Sequence, residues 1–306
     1  MVIVRVKKSQ IAFIRVWIHS RAMQVRFCVL GSGSEGNAAL LMTPDQHVLI
    51  DCGFLPDELS RRLDGTEASW ETLDAVVLTH THGDHLKKKC LVKCVEHEIQ
   101  FVCHGHHAEQ LKGSRYFEKL RKKELLRVYH DAPFELHSSL RFHPIPVPHD
   151  CPPTFGFRIE ARVPHAESNG NGNGHAERWV KLGYLADLGM CGEEIAREVA
   201  DVDLLALEFN HDEELERRSG RHPRLIQRVL GPQGHLSNKQ AADVFRKVLE
   251  SGPNGGPKLL LQMHLSRDCN RAELAYQAAQ EVLFLTGAQT RIFSTRQDKR
   301  GTIHAL

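Results

Sequence analysis

The sequence predicts a layered α/β fold in one domain, and three observations carry that expectation. Short apolar runs, among them residues 75–78, 204–207 and 259–261, have the length and composition of strands buried on both faces. Segments 56–63, 193–199, 239–249 and 271–283 fall between such runs and mix polar and apolar residues as amphipathic helices do. The side chains best suited to hold a metal (His80, His82, Asp84, His85, His149, Asp187 and His264) all fall at or just after predicted strand ends, which gathers them on one edge of the layers.

No linker-like stretch interrupts this order, so residues 23–306 are expected to form the working domain and 1–22 an upstream extension, disordered or a start-site artefact, with a basic targeting peptide as the alternative. Those first residues alternate apolar and basic positions and lack the unbroken apolar core and the small-residue cleavage site of a secretory signal. The chain carries 40 Lys and Arg against 38 Asp and Glu, a net charge of +2, so any basic surface must be local. Eight scattered cysteines without a Cys-x-x-Cys pair suggest reduced thiols in a cytoplasmic protein rather than a disulfide framework. No apolar run approaches the length of a membrane span.

Taken in order, residues 24–30 form a strand that breaks at Gly31-Ser32-Gly33-Ser34-Glu35-Gly36-Asn37, and a second strand resumes over 38–42. That loop offers unhindered backbone N–H groups and small hydroxyls, which suit a phosphate as well as a plain turn. A strand over 48–50 ends at Asp51, placed to accept a hydrogen bond from a metal-binding histidine and so orient it. After the helix 56–63 and the strand 75–78, residues 86–98 read as a helix whose lysines face solvent, followed by a strand over 101–103. His104, His106 and His107 come next without a carboxylate and are assigned no metal. Strands near 125–129 and 140–147 open the second half, the latter ending at His149-Asp150 before a proline-rich loop. Residues 155–161 and 179–185 pair as a hairpin around a low-complexity tip at 167–174. The helix 193–199 leads to the strand 204–207, closed by Glu208-Phe209-Asn210-His211-Asp212. Arg217, Arg218, Arg221, Arg224 and Arg228 then form a local basic concentration. Ser237 is the expected N-cap of the helix 239–249, and a strand over 259–261, the helix 271–283 and a strand near 290–294 complete the chain.

The organising stretch is His80-Thr81-His82-Gly83-Asp84-His85. In an extended segment residues two apart point the same way, so His80 and His82 can chelate one ion. Asp84 and His85 lie past the turn at Gly83 and can face a second ion. Histidines often sit satisfied in cores, yet four ligand groups within six residues after a strand are poorly explained that way. An aspartate at a strand end, such as Asp187, can bridge two cations with its two oxygens.

With these residues in place the chain resembles the metallo-β-lactamase fold, an αββα sandwich of two facing mixed sheets with helices outside. His80-x-His82-x-Asp84-His85, His149, Asp187 and His264 carry the resemblance, which covers nearly everything from about residue 24 onward. Within that superfamily the chain is similar to the YycJ/WalJ-like branch, associated with exonuclease activity on DNA. The segments that carry this finer likeness are Gly31 to Asn37, Glu208 to Asp212, Gly234-His235-Leu236-Ser237-Asn238 and His264-Leu265-Ser266-Arg267-Asp268. Two positions depart from that branch: Glu35 stands where a small or polar residue is usual, and Phe209 where a serine is usual.

The resemblance implies His80, His82 and His149 on one metal and Asp84, His85 and His264 on the other, with Asp187 between them. It implies two divalent cations, zinc or manganese, which activate water and offset the charge of a phosphorane-like transition state. The nitrogen-rich ligand set with carboxylates and no thiolate suits either ion. Glu208 and His235 stand where tRNase Z-like nucleases place a glutamate and a histidine that assist the leaving oxygen. His235, oriented by Glu208, is therefore read as the general acid, and Asp84 is the third residue assigned to the chemistry. Ser34, Asn37, His211, Arg217, Arg221 and Asn238 are the expected substrate contacts.

The expected activity is that of a dinuclear metal-dependent phosphodiesterase, foremost a DNA exonuclease, with DNA preferred to RNA as partner. Two other readings compete. A glyoxalase-like thioesterase or lactonase shares the metal motif but has no use for arginines 217–228, which could grip backbone phosphates. A non-catalytic metal-bound scaffold has no use for an open metal edge bearing Glu208 and His235. The chain has no room for a β-CASP insertion, and the long arm that tRNase Z uses to hold tRNA has no evident counterpart.

Overall fold

Apolar runs too short for helices pair into two sheets of seven strands each in the computed structural model, which describes residues 24–163, 178–252 and 255–306. In chain order the first strands are β1 (Arg26–Gly31), β2 (Ala38–Met42), β3 (His47–Ile50), β4 (Ala75–Val77), β5 (Gln100–His104), β6 (Leu126–Tyr129) and β7 (Phe134–His137). They are followed by β8 (Leu140–Val147), β9 (Thr154–Val163), β10 (Arg178–Leu185), β11 (Leu204–Glu208), β12 (Leu259–Met263), β13 (Arg291–Ser294) and β14 (His304–Ala305). The helices are α1 (Pro56–Leu63), α2 (Cys90–Glu96), α3 (Gly105–Leu111), α4 (Arg115–Lys122), α5 (Glu193–Glu198), α6 (Glu213–Arg217), α7 (Pro223–Val229), α8 (Asn238–Ser251) and α9 (Ala272–Thr286).

The first sheet runs β14-β1-β2-β3-β4-β5-β6 and the second β13-β12-β11-β10-β9-β8-β7. Each is mixed: β3 to β6 are parallel, as are β10 to β13, while β1 to β3 and β7 to β10 pair antiparallel. Alternation along each strand sends side chains to two different cores. Phe27, Val29, Ala39 and Leu41 meet Phe142, Phe157, Tyr184 and Leu204 between the sheets. Their neighbours Cys28, Leu30, Leu40 and Met42 pack outward against Leu59, Leu63, Leu91 and Leu120 of α1, α2 and α4. On the far side Leu205, Leu207 and Leu260 pack against Ala196, Phe245, Val248 and Ala279 of α5, α8 and α9. Burial on both faces is why the strands read as unbroken apolar runs, and the layers are those of an αββα sandwich.

The differences from expectation are local. The helix expected over 86–98 is confined to Cys90–Glu96, because residues 87–89 form the turn that carries the chain away from the edge. Helices α3 and α4 follow β5 where none was expected; α4 buries only Phe117 and Leu120, a stripe too narrow to stand out. Strands β7 and β14 were also unexpected, the first half exposed at a sheet edge and the second only two residues long. The basic concentration folds as the two short helices α6 and α7. The extension 1–22 and the tip 167–174 lie outside the described residues. All eight cysteines are free thiols, and among the described residues no helix is long and apolar enough to cross a membrane.

Candidate metal centre

Strands from both sheets end on one edge of the sandwich. From the first sheet, Asp51 follows β3 and the His80–His85 loop follows β4; from the second, His149, Asp187 and His264 follow β8, β10 and β12, and Glu208 closes β11. Asp51, Asp187 and His264 hold φ values of 60°, 54° and 56°. That left-handed region costs a non-glycine residue on the order of 1 kcal/mol or more. Its recurrence at three strand ends of one edge turns each side chain out of the pleat and into a shared space.

Three convergent sets of ligand atoms result, each with all its atoms within 4.8 Å of one another: His80, His82 and His149; His80, His85 and Asp187; and Asp187, Glu208, His235 and His264. His82 Nδ1 lies 3.1 Å from His80 Nε2 and 3.3 Å from His149 Nε2. Asp187 belongs to two sets. Its Oδ2 stands 2.7 Å from His85 Nε2 and 3.5 Å from His80 Nε2, while its Oδ1 touches His264 Nδ1. Asp84 joins none of these sets; its Oδ2 is 3.9 Å from His85 Nε2 and 3.3 Å from Asn37 Nδ2, at the rim. Glu208 Oε1 lies 2.7 Å from His235 Nδ1 and 3.2 Å from His264 Nδ1, and its Oε2 accepts from the Leu188 and Leu236 amides.

The charges are set by burial and by each other. Burial holds His80 well below the ordinary histidine range and lowers His149 as well. Burial would raise Asp187 and lower His264, yet their mutual attraction prevails: the Asp187 carboxyl is pulled well down and His264 is pushed up to about 10. Burial also opposes ionisation of Glu208, but His235 and His264 bring it down to about 2. His85, fully buried, is held well above its usual value by Asp187 and Asp51.

These residues fit a divalent cation. Asp187 Oδ1 and His264 Nδ1 are buried in contact with one another, yet neither has a hydrogen-bond partner of acceptable geometry. The ligand nitrogens of His80, His82 and His149 also converge, an arrangement suited to a shared positive ion. The outer nitrogens of His85 and His149 are tied down, as in metal-binding histidines. His85 Nδ1 meets Asp51 Oδ2 at 2.7 Å, Asp51 is held by the amide and hydroxyl of Thr79, and His149 Nδ1 meets the Gly234 carbonyl at 3.1 Å. The Cys151 thiol lies beside Thr81, 3.5 Å from its hydroxyl, outside the convergent sets.

The expected substrate contacts fare differently. Ser34 is exposed on its loop. Asn37 is fully buried: its carbonyl oxygen accepts from Ser32 and Gly33, and its amide reaches Asp84 and stands 2.9 Å from His85 Nε2, so it braces the ligand loop instead of facing a substrate. Asn238 is likewise buried and paired with Asn270, and His211 is fully buried. Arg221 is held by Glu216 and Asp268, and Arg217 lies 3.9 Å from Glu213 on its own helix. Of these six residues, Asn37, His211 and Asn238 are buried, Arg217 and Arg221 face carboxylates, and Ser34 is open to solvent. Glu35, where the resemblance departs, pairs with Arg267 at 2.9 Å, and Phe209 is buried in the outer core. Sequence reasoning assigned nothing to Thr79 or to Asp150; their signal was adjacency, each lying next to a histidine of the centre.

A two-sheet sandwich with histidines and carboxylates gathered at strand ends defines a metal-dependent hydrolase of the metallo-β-lactamase fold. The chain belongs to the β-lactamase superfamily, whose domain model matches residues 46–264. It is 27% identical over 282 residues to the exodeoxyribonuclease WalJ of Streptococcus pneumoniae, covering 89% of this chain and 95% of that one. To the exodeoxyribonuclease YycJ of Bacillus anthracis it is 25% identical over 268 residues, 85% of this chain and 90% of the relative. The metallo-β-lactamase fold protein YhfI of Bacillus subtilis superposes with a TM-score of 0.61 at 18% identity, over 92% of this chain and 99% of its own.

Proposed function

We propose that the chain is a DNA exonuclease that hydrolyses phosphodiester bonds with two divalent cations, zinc or manganese, and that residues 23–306 are its catalytic unit. The observation that carries this reading is the Glu208–His235 pair, 2.7 Å apart and sharing a convergent set with Asp187 and His264. A site that only stored metal would have no need of it. His80, His82 and His149 would hold one cation and His85, Asp187 and His264 the other, with Asp84 at the rim. The cations, when bound, would supply Lewis acidity toward water and toward the phosphoryl oxygens. Glu208, kept ionised and fixed by two backbone amides, holds the His235 Nδ1 proton. That leaves Nε2 as the nitrogen able to deliver a proton to the departing oxygen. His235 is partly exposed, with 17% of its side chain open, so a substrate can reach it. The eight free thiols suit a reducing, cytoplasmic setting.

The test is degradation of end-labelled single-stranded and duplex DNA by metal-stripped protein resupplied with zinc or manganese, beside a His82→Ala control. Metal-dependent shortening from one end, lost in the control, is the expected result. Inert DNA with rapid thioester or lactone hydrolysis would keep the metal centre and overturn the substrate.

A further inference from the structure

Asp150 directly follows His149, and its two oxygens face different groups. Oδ1 is buried without a hydrogen-bond partner, 3.3 Å from His149 Nε2 and 3.6 Å from His82 Nε2. Oδ2 accepts from Nε of Arg228 in the last turn of α7. Because that bond uses Nε, it fixes the guanidinium at its stem, and the outer fork of Nη1 and Nη2 is the part that can take another acceptor. The Arg228 side chain is 52% exposed and borders a groove lined by Pro148, Asp150, Met190, Gln227 and Pro232. Besides its bond to Asp150, Arg228 feels the charges of Asp84 and Asp187, so it stands within electrostatic reach of the centre. Of the four other arginines of its run, three face carboxylates, and Arg224 is exposed: Arg218 pairs with Glu214 at 2.8 Å within one helix, Arg217 faces Glu213, and Arg221 lies between Glu216 and Asp268.

We propose that Arg228 grips a substrate phosphate flanking the scissile one, and that Asp150 is its positioning residue. The inference rests on the phosphodiesterase reading. An arginine fork matches two phosphate oxygens at once, and a side chain already tethered loses less rotamer freedom when the strand arrives. The tether also links the His82–His149 side of the centre to the groove. A strand gripped by Arg228 is thereby held at a fixed offset from the cation those histidines would bind.

The test compares Arg228→Gln, Arg228→Lys, Asp150→Asn, the Arg228→Gln/Asp150→Asn double variant and the surface control Arg218→Gln. Each is assayed on a single-stranded oligonucleotide and on bis(p-nitrophenyl) phosphate, which has no flanking phosphate, and metal content is measured for all. Arg228→Gln is expected to raise the oligonucleotide KM about tenfold, the loss of one charge-assisted bond, with kcat and the small diester little changed. The slope of log binding against log salt should fall by about 0.7, one single-strand phosphate contact. Arg228→Lys should restore the slope but only part of KM. Asp150→Asn should raise KM with metal content intact, and the double variant should be no worse than Arg228→Gln alone. Wild-type KM and salt slope in Arg228→Gln overturn the assignment of Arg228, while metal loss in Asp150→Asn makes Asp150 a ligand and overturns its positioning role. If the parent protein itself neither binds nor cleaves the oligonucleotide, the phosphodiesterase reading fails and takes this inference with it.

Discussion

His264 and His85 are held above the ordinary histidine range by buried carboxylates, whereas His80 and His149 are held below it by burial. The two pairs pull the pH dependence of the metal-free protein in opposite directions. A histidine raised from 6.5 contributes stability that is complete below 6.5 and is lost as pH rises, for His264 through about 10. A histidine lowered from 6.5 contributes stability that is complete above 6.5 and is lost as pH falls. Chelator-treated protein should therefore melt highest near pH 6.5 and lower on either side, while a bound cation, which replaces the proton on His264, flattens the alkaline fall. Melting curves from pH 5 to 10 with and without metal check this; a Tm of the chelated protein that climbs steadily to pH 9 would refute the charge assignment. On the proposed reading His235→Ala acts on chemistry and not on metal binding. It should cut kcat by about 10²–10⁴ with metal content unchanged, and unchanged phosphodiester turnover would reduce Glu208–His235 to a structural pair.

At the scale of elements, the site depends on how closely the loops after β3 and β4 approach. A Cβ on Gly53 would meet the Asp84 carbonyl carbon at 2.5 Å and crowd the Asn37 amide at 2.6 Å. The same backbone atoms are bonded to one another, Asn37 N–H to Asp84 C=O and Gly53 N–H to Asn37 C=O. Gly53→Ala should cost about 1–3 kcal/mol and, by pushing the His82–His85 turn outward, weaken metal binding more than it lowers Tm. Metal titration beside a thermal melt tells these apart, and near-native values for both would show that the loop can yield. Such approaches were not legible in the sequence, whereas the strands were, because burial on both faces writes each of them as an apolar run. The convergence of the candidate ligands was legible because they sit where those runs stop. What failed to show was orientation: nothing in Gly31 to Asn37 says that Asn37 points inward to His85 while Ser34 points out. The pairing of the arginines left a trace that composition hides, since Glu213 and Glu214 precede Arg217 and Arg218 by four residues, the spacing of a helical ion pair.

Across the whole molecule, the centre gathers side chains that the rest of the fold keeps in separate sheets. His80, His82 and His85 extend from the first sheet, and His149, Asp187 and His264 from the second, with an apolar layer between the sheets. Cations bound there would act as cross-links between the halves and would favour the folded chain over the unfolded one by mass action. With free metal at about 100 times its Kd, the gain is about 2.7 kcal/mol, which for a chain of this length corresponds to roughly 4–5 °C in Tm. Chelation should lower Tm by that order and make it depend on free metal concentration. His82→Ala should lose much of the metal-dependent increment, whereas His235→Ala should keep most of it. If chelation leaves Tm unmoved, the two sheets hold together through the apolar layer alone, and the convergence of their histidines would have to be explained by binding weaker than the fold can feel.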